Sequence, residues 1–143
     1  MEKYVLLVED NEDDIELTLR AFKKYNHTTK IITVKNGEEA LHYLINEKFQ
    51  HCKNIPEMPD IILMDINMPK ISGIELLKLI KENEKTKLIP VIMLTSSDEK
   101  DDIISSYALG ASSYLRKPVD FHQFSALIKK VQLYWITNNI TAT

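Results

Sequence analysis

Cysteine is almost missing from this chain. Cys52 is the single thiol in 143 residues, which excludes an internal disulfide and fits a reducing compartment. No basic run occurs and the net charge is −3, so the electrostatic footprint of a nucleic-acid binder is missing. Purely apolar runs stop at four or five residues, too short for a bilayer span. The start, Met1-Glu2-Lys3-Tyr4, reaches acid by Glu9 without the charged-then-apolar order of a secretion signal. His27, His42, His51 and His122 are scattered, with no zinc-ligand spacing. Repeats, low-complexity segments and internal boundaries are also lacking. The expectation is one soluble, cytoplasmic domain over residues 1–143, with no nucleic-acid or membrane partner. Its core runs from about residue 3 to 131, followed by the end of the last helix and a short tail.

What is present is an alternation of short buried strands and helical patterns. Ile61-Ile62-Leu63-Met64 suits a strand covered on both faces; it runs into Asp65, and Pro69 and Gly73 break the chain before the next helix. Tyr4 to Val8 is a similar strand that ends in Glu9-Asp10. Asn11-Glu12-Asp13-Asp14 is an acidic helix start of the sort the macrodipole favours, with Ile15, Leu19 and Phe22 at helical spacing. Lys30 to Val34 is the second strand, and Asn36 caps a helix bearing Ala40, Leu41, Leu44 and Ile45. The connection Phe49 to Asp60 is long for its type. The third helix places Leu76, Leu77, Leu79 and Ile80 on a broad buried stripe. Val91 to Leu94 is the fourth strand and leads into Thr95-Ser96-Ser97. Asp98 is expected to cap a helix carrying Ile103, Ile104, Tyr107 and Ala108, with Gly110 just past its end. Ser112 to Arg116 is a weaker fifth strand, and Asp120-x-x-Gln123 opens the last helix as a capping box. Five such alternations with right-handed crossovers predict an α/β doubly wound parallel sheet of five strands, flavodoxin-like order 2-1-3-4-5, with helices on both faces.

In that architecture the C-terminal ends of the strands share one edge. The edge collects Glu9 and Asp10, then Asp65, then Thr95 and Ser96, then Lys117. Taken singly, acids before helices are caps, hydroxyls after strands form turns, and a lysine before proline is solvated. Together at four strand ends they read as a site. Crowded carboxylates repel one another unless a cation intervenes. An oxygen-only donor set without Cys or His selects a hard ion such as Mg²⁺. A carboxylate beside such an ion and a lysine can attack phosphorus, with the lysine and a hydroxyl sharing the charge on the transferring oxygens.

Those residues resemble the response-regulator receiver domains of two-component signalling. The resemblance lies in Val8-Glu9-Asp10-Asn11, in Met64-Asp65-Ile66-Asn67-Met68-Pro69 with Gly73, in Leu94-Thr95-Ser96, and in Tyr114-Leu115-Arg116-Lys117-Pro118. It implies that Asp65 accepts a phosphoryl group from a sensor histidine kinase, with Thr95 and Lys117 contacting that group. Mg²⁺ would be held by Glu9, Asp10, Asp65 and the backbone carbonyl of Asn67. Tyr114 would act with Thr95 as the switch pair, reshaping the face of helix four, strand five and helix five. It also implies a cis Lys117–Pro118 bond and a signalling domain, not an enzyme with a separate substrate, that assists its own phosphorylation and dephosphorylation. Asn67 and Ser97 would flank the approach of the attacking water.

The long Phe49–Asp60 connection, the Lys117-Pro118-Val119-Asp120-Phe121 run and Tyr134-Trp135-Ile136 resemble the small regulators paired with cyanobacterial and bacterial phytochromes. Only a short polar tail follows the last helix, so the output is expected to be an interaction, with no fused effector. The apolar excess of that helix, with Phe124, Ile128, Val131 and Trp135 on one stripe, reads as a homodimer face; its alternative is a wide core stripe. Two rivals of the same chemistry or fold fit less well. An aspartyl-phosphate phosphatase wants a second aspartate where Asn67 stands, and a flavin-binding protein wants a neutral phosphate loop where Glu9-Asp10-Asn11-Glu12 stands.

Overall fold

A computed structural model describes residues 3–25, 28–45 and 58–142. Strands β1 (Tyr4–Val8), β2 (Lys30–Val34), β3 (Ile61–Met64), β4 (Val91–Thr95) and β5 (Ser113–Arg116) alternate with helices α1 (Glu12–Tyr25), α2 (Gly37–Ile45), α3 (Gly73–Glu82), α4 (Lys100–Ala108) and α5 (Phe121–Val131). All neighbouring strands pair in parallel, in the order β2-β1-β3-β4-β5. The expected fold class is the one observed. Most of the Phe49–Asp60 connection, with His51 and Cys52, lies outside the described residues, as does His27.

Two-residue periodicity divides the core. Leu6, Val8, Ile62, Met64, Val91 and Met93 point to one side of the sheet, where Ala40, Tyr43 and Leu44 of α2 and Leu76, Leu77 and Ile80 of α3 cover them. Val5, Leu7, Ile61, Leu63, Ile92 and Leu94 point to the other side, against Ile15, Ala21 and Phe22 of α1 and Phe124, Ile128 and Val131 of α5. The all-apolar runs in β1, β3 and β4 follow from burial on both faces.

Several local expectations are corrected. Leu19 and Leu79 sit at the rims of their helices, and α1 instead buries Ile15, Thr18, Ala21 and Phe22. Asp98 does not cap α4: its carboxylate pairs with Arg116 at 3.2 Å. The turn is tied instead by Ser97, whose hydroxyl accepts from the Glu99 amide (3.3 Å) and donates to Asp102 Oδ2 (2.6 Å). Helix α4 lies over the edge of the sheet and fully buries only Ser106, leaving Ile104 55% and Tyr107 52% exposed.

Asp120 does cap α5, accepting from the amides of His122 (2.7 Å) and Gln123 (3.1 Å). The helix then continues through a π-helical stretch, Gln132–Asn138. Phe124, Ile128 and Val131 are sealed inside the protomer, so the stripe read as a dimer face is core. Trp135 packs partly against the same cluster, and the exposed large apolar residues within the π-helical stretch are Leu133 and Tyr134. The stripe was ambiguous in the sequence because a helix packed between a sheet and α1 needs a wide apolar face.

Candidate functional site

The edge residues are placed by the rungs of the sheet itself. The Glu9 amide donates to Val34 O (3.0 Å), the Asp65 amide to Val8 O (3.1 Å) and the Lys117 amide to Thr95 O (2.8 Å). Each residue therefore starts its loop while still paired to the neighbouring strand. Gly73 brings α3 against the base of this edge: a Cβ there would lie 2.2 Å from the Asp65 carbonyl oxygen, so no other residue fits without a shift. Ser72 caps α3 by accepting from the Glu75 amide.

Glu9 and Asp65 are buried, whereas Asp10 faces solvent. One carboxylate oxygen from each of these three residues lies within 4.8 Å of the others. That donor set, two buried groups and one open to water, fits a hard divalent cation. Asp65 Oδ1 accepts from the Ile66 amide (2.8 Å), and its Oδ2 accepts from Lys117 Nζ at 3.4 Å. The Lys117 ammonium, its side chain only 8% exposed, also pairs with Glu9 and, at 2.8 Å, with Asp14.

These contacts set the charge states. Burial pushes the Glu9 carboxyl up to about 7, against the pull of the Lys117 ammonium; the nearby Asp65 charge adds to the rise. Burial alone would lower Lys117, but its bonds to Asp14 and Glu9 and the charge of Asp65 outweigh it and hold the ammonium above its ordinary range. Lys117 is a permanent cation among carboxylates.

Thr95 is fully buried, and its Oγ1 accepts from the Ser97 amide (3.3 Å). The Tyr114 hydroxyl donates to the Ser97 carbonyl (2.9 Å), while its ring packs on the α2–α3 side of the core. Asn67 is exposed and, with Ser96, Ser97, Asp98, Glu99 and Asp102, lines a polar hollow of about 470 Å³. A larger cleft of about 760 Å³, lined by Glu38, Leu41, His42, Ile45, Leu79, Glu82 and Asn83, lies apart from the edge, between α2 and α3.

The structure thus brings together Glu9, Asp10, Asp65 and Lys117, and links Thr95 to Tyr114 through Ser97. The Lys117–Pro118 bond is trans, as are all peptide bonds among the described residues, which corrects the expected cis form; trans is the lower-energy isomer even before proline. Sequence reasoning missed Asp14 and Asp102. Asp14 had a usable signal: it stands four residues before Thr18 and seven before Ala21, on the buried face of α1.

Residues 5–129 match the response regulator receiver domain family. The chain belongs to that family. As a receiver domain it is 35% identical over 132 residues to the probable methanogenesis regulatory protein FilR2 of Methanothrix harundinacea, covering 92% of this chain and 83% of that protein. It is 34% identical to response regulator Rcp1 of Synechocystis sp., covering 94% of this chain and 89% of that protein. Among solved structures, this receiver superposes with a TM-score of 0.92 on the phosphorylated cyanobacterial phytochrome response regulator RcpA, at 33% identity with both chains fully covered. The Mn²⁺-bound form of Rcp1 matches with a TM-score of 0.88 at 32% identity and 99% coverage of both chains. No described helix of this receiver is long and apolar enough to cross a membrane.

Proposed function

We propose that this receiver accepts a phosphoryl group on Asp65 from a sensor histidine kinase, in a Mg²⁺-dependent reaction in the cytoplasm. The observation that carries the proposal is the Lys117 ammonium held between Glu9, Asp14 and Asp65, beside the Glu9–Asp10–Asp65 carboxylate cluster. A phytochrome-type kinase is the proposed donor, supported by the likeness to Rcp1 and RcpA.

The Asp65 carboxylate attacks phosphorus; the new O–P bond forms as the P–N bond to the kinase histidine breaks, and the electron pair leaves with the imidazole nitrogen. The amides of Ile66 and Asn67 hold Oδ1 and so orient the attacking group. Glu9, Asp10, Asp65 and the Asn67 backbone carbonyl would hold the Mg²⁺, which supplies charge neutralisation on the phosphoryl oxygens. Lys117 donates to one phosphoryl oxygen and the Thr95 hydroxyl to another. Water reaches the phosphoaspartate through the polar hollow between Asn67 and Ser97.

Drawing Thr95 toward the phosphoryl group pulls on the Ser97 amide, and Ser97 is tied to both Tyr114 and Asp102. The signal therefore passes to α4 and β5, a population shift driven by new charge-assisted hydrogen bonds. The output is proposed to be homodimerisation, carried by the exposed Leu133 and Tyr134 together with Ile104 and Tyr107 of α4.

Intact mass after incubation with acetyl phosphate, with and without Mg²⁺, tests the chemistry. A phosphoryl adduct is expected only with Mg²⁺ and only with Asp65 present; an adduct on Asp65→Asn at wild-type yield overturns the assignment. Thr95→Ala is expected to keep the adduct and lose the change in elution on size exclusion.

A further inference from the structure

The geometry points to Asp14 as a positioning residue for phosphoryl transfer: its carboxylate fixes the Lys117 ammonium so that one of the lysine's protons is aimed at Asp65. This rests on the phosphoacceptor reading above and goes beyond it, since that reading gives Asp14 no role in the transfer itself.

An ammonium carries three donors and no acceptor, on a flexible four-carbon stem. Lys117 Nζ meets one carboxylate from each of three elements: Glu9 after β1, Asp14 in the first turn of α1, and Asp65 after β3. Glu9 and Asp14 make the two tight contacts, so the third donor is left along the Asp65 direction at 3.4 Å. That distance is long for a charge-assisted bond, so this donor is the least committed of the three and the one free to turn to an oxygen of the arriving phosphoryl group.

The roles of the three acids differ. Glu9 and Asp65 belong to the cluster that fits a cation, whereas Asp14 stands outside it. Asp14 is therefore the one carboxylate that serves the lysine alone. Its own position is locked: the Asp14 amide donates to Asn11 Oδ1 (3.0 Å) at the helix cap, and its carbonyl accepts from Thr18 Oγ1 (2.7 Å). Asp13, one residue earlier on the same turn, is exposed and touches none of these groups among the contacts described. It carries the same charge and is the matched control.

The test is the rate of phosphorylation by acetyl phosphate, measured by intact mass against donor and Mg²⁺ concentration. Asp14→Ala is expected to lower the maximal rate about tenfold, the scale of one hydrogen bond to a charged group. The Mg²⁺ midpoint stays where it is, and Asp14→Asn, which keeps an acceptor oxygen, recovers part of the loss. Asp13→Ala keeps the wild-type rate. On a Lys117→Ala background, Asp14→Ala changes nothing further, because its effect runs through the lysine. Wild-type rate in Asp14→Ala, an equal loss in Asp13→Ala, a displaced Mg²⁺ midpoint or an additive loss on Lys117→Ala each overturns the inference. Urea midpoints of all variants separate these outcomes from loss of fold, and the isosteric Asp14→Asn carries the test if the alanine variant unfolds. Failure of the underlying reading looks different: no adduct forms on wild type, or Asp65→Asn still carries it.

Discussion

At the scale of single residues, the site depends on groups that do no chemistry. Gly73 is the clearest. Its missing side chain lets the start of α3 close on the backbone of Asp65 and Ile66, and a Cβ would collide with main chain, which cannot swing aside. Gly73→Ala is expected to destabilise the domain by about 3 kcal/mol or more through overpacking and to displace Asp65. The readouts are the urea midpoint and the yield of phosphoryl adduct. Tyr43 offers a pH test away from the site. It is buried, and loss of hydration pushes its hydroxyl up to about 12 from an ordinary 10.0. Its folded pKa is raised, so the stability it contributes is complete below about pH 10 and falls as pH climbs toward 12. Urea midpoints between pH 9 and 11 should decline less steeply in Tyr43→Phe, with the wild-type slope as the refuting result.

At the scale of elements, helices differ in how firmly they are held. Helix α3 buries Leu76, Leu77 and Ile80, and Thr86 closes its end by donating to the Ile80 carbonyl at 2.7 Å. Helix α4 buries one serine. Amide exchange should therefore be fastest in α4 among the helices packed on the sheet and slowest in α3; equal protection would contradict this ranking. Capping gives a second test: Asp120→Ala removes an acceptor shared by two amides and should cost about 1 kcal/mol of stability. The elements were also the most legible part of the sequence. Strand runs such as Ile61 to Met64 and the turn residues around them set the order of the sheet, and the edge then assembled Glu9, Asp65, Thr95 and Lys117. Contacts that depend on side-chain reach were not legible. Asp98 turned to Arg116 instead of capping, and Asp14 reached Lys117 across 103 positions of chain. Nor did apolar spacing tell core from surface on α5, because the same stripe serves either purpose.

At the scale of the whole molecule, the proposed self-association has a defined surface. Leu133 is 48% and Tyr134 56% exposed, on a turn that follows the buried part of α5. Leu133→Glu with Tyr134→Glu should reduce the phosphorylated species to a monomer by sedimentation while the adduct still forms. An unchanged sedimentation coefficient would remove this surface from the proposal.

The two-residue alternation of the strands sorts more than the core. Glu9 follows Val5 and Leu7, Asp65 follows Ile61 and Leu63, and Lys117 follows Leu115, all on the side covered by α1 and α5. Thr95 follows Val91 and Met93 onto the opposite side, where Tyr114 packs. The sheet is a party wall: under the proposed function, chemistry occupies one room, the responding aromatic the other, and Thr95 is the door between them. The outward face of α4, with the exposed Ile104 and Tyr107, can accordingly be refurnished for a new listener without touching the room where phosphoryl transfer is proposed.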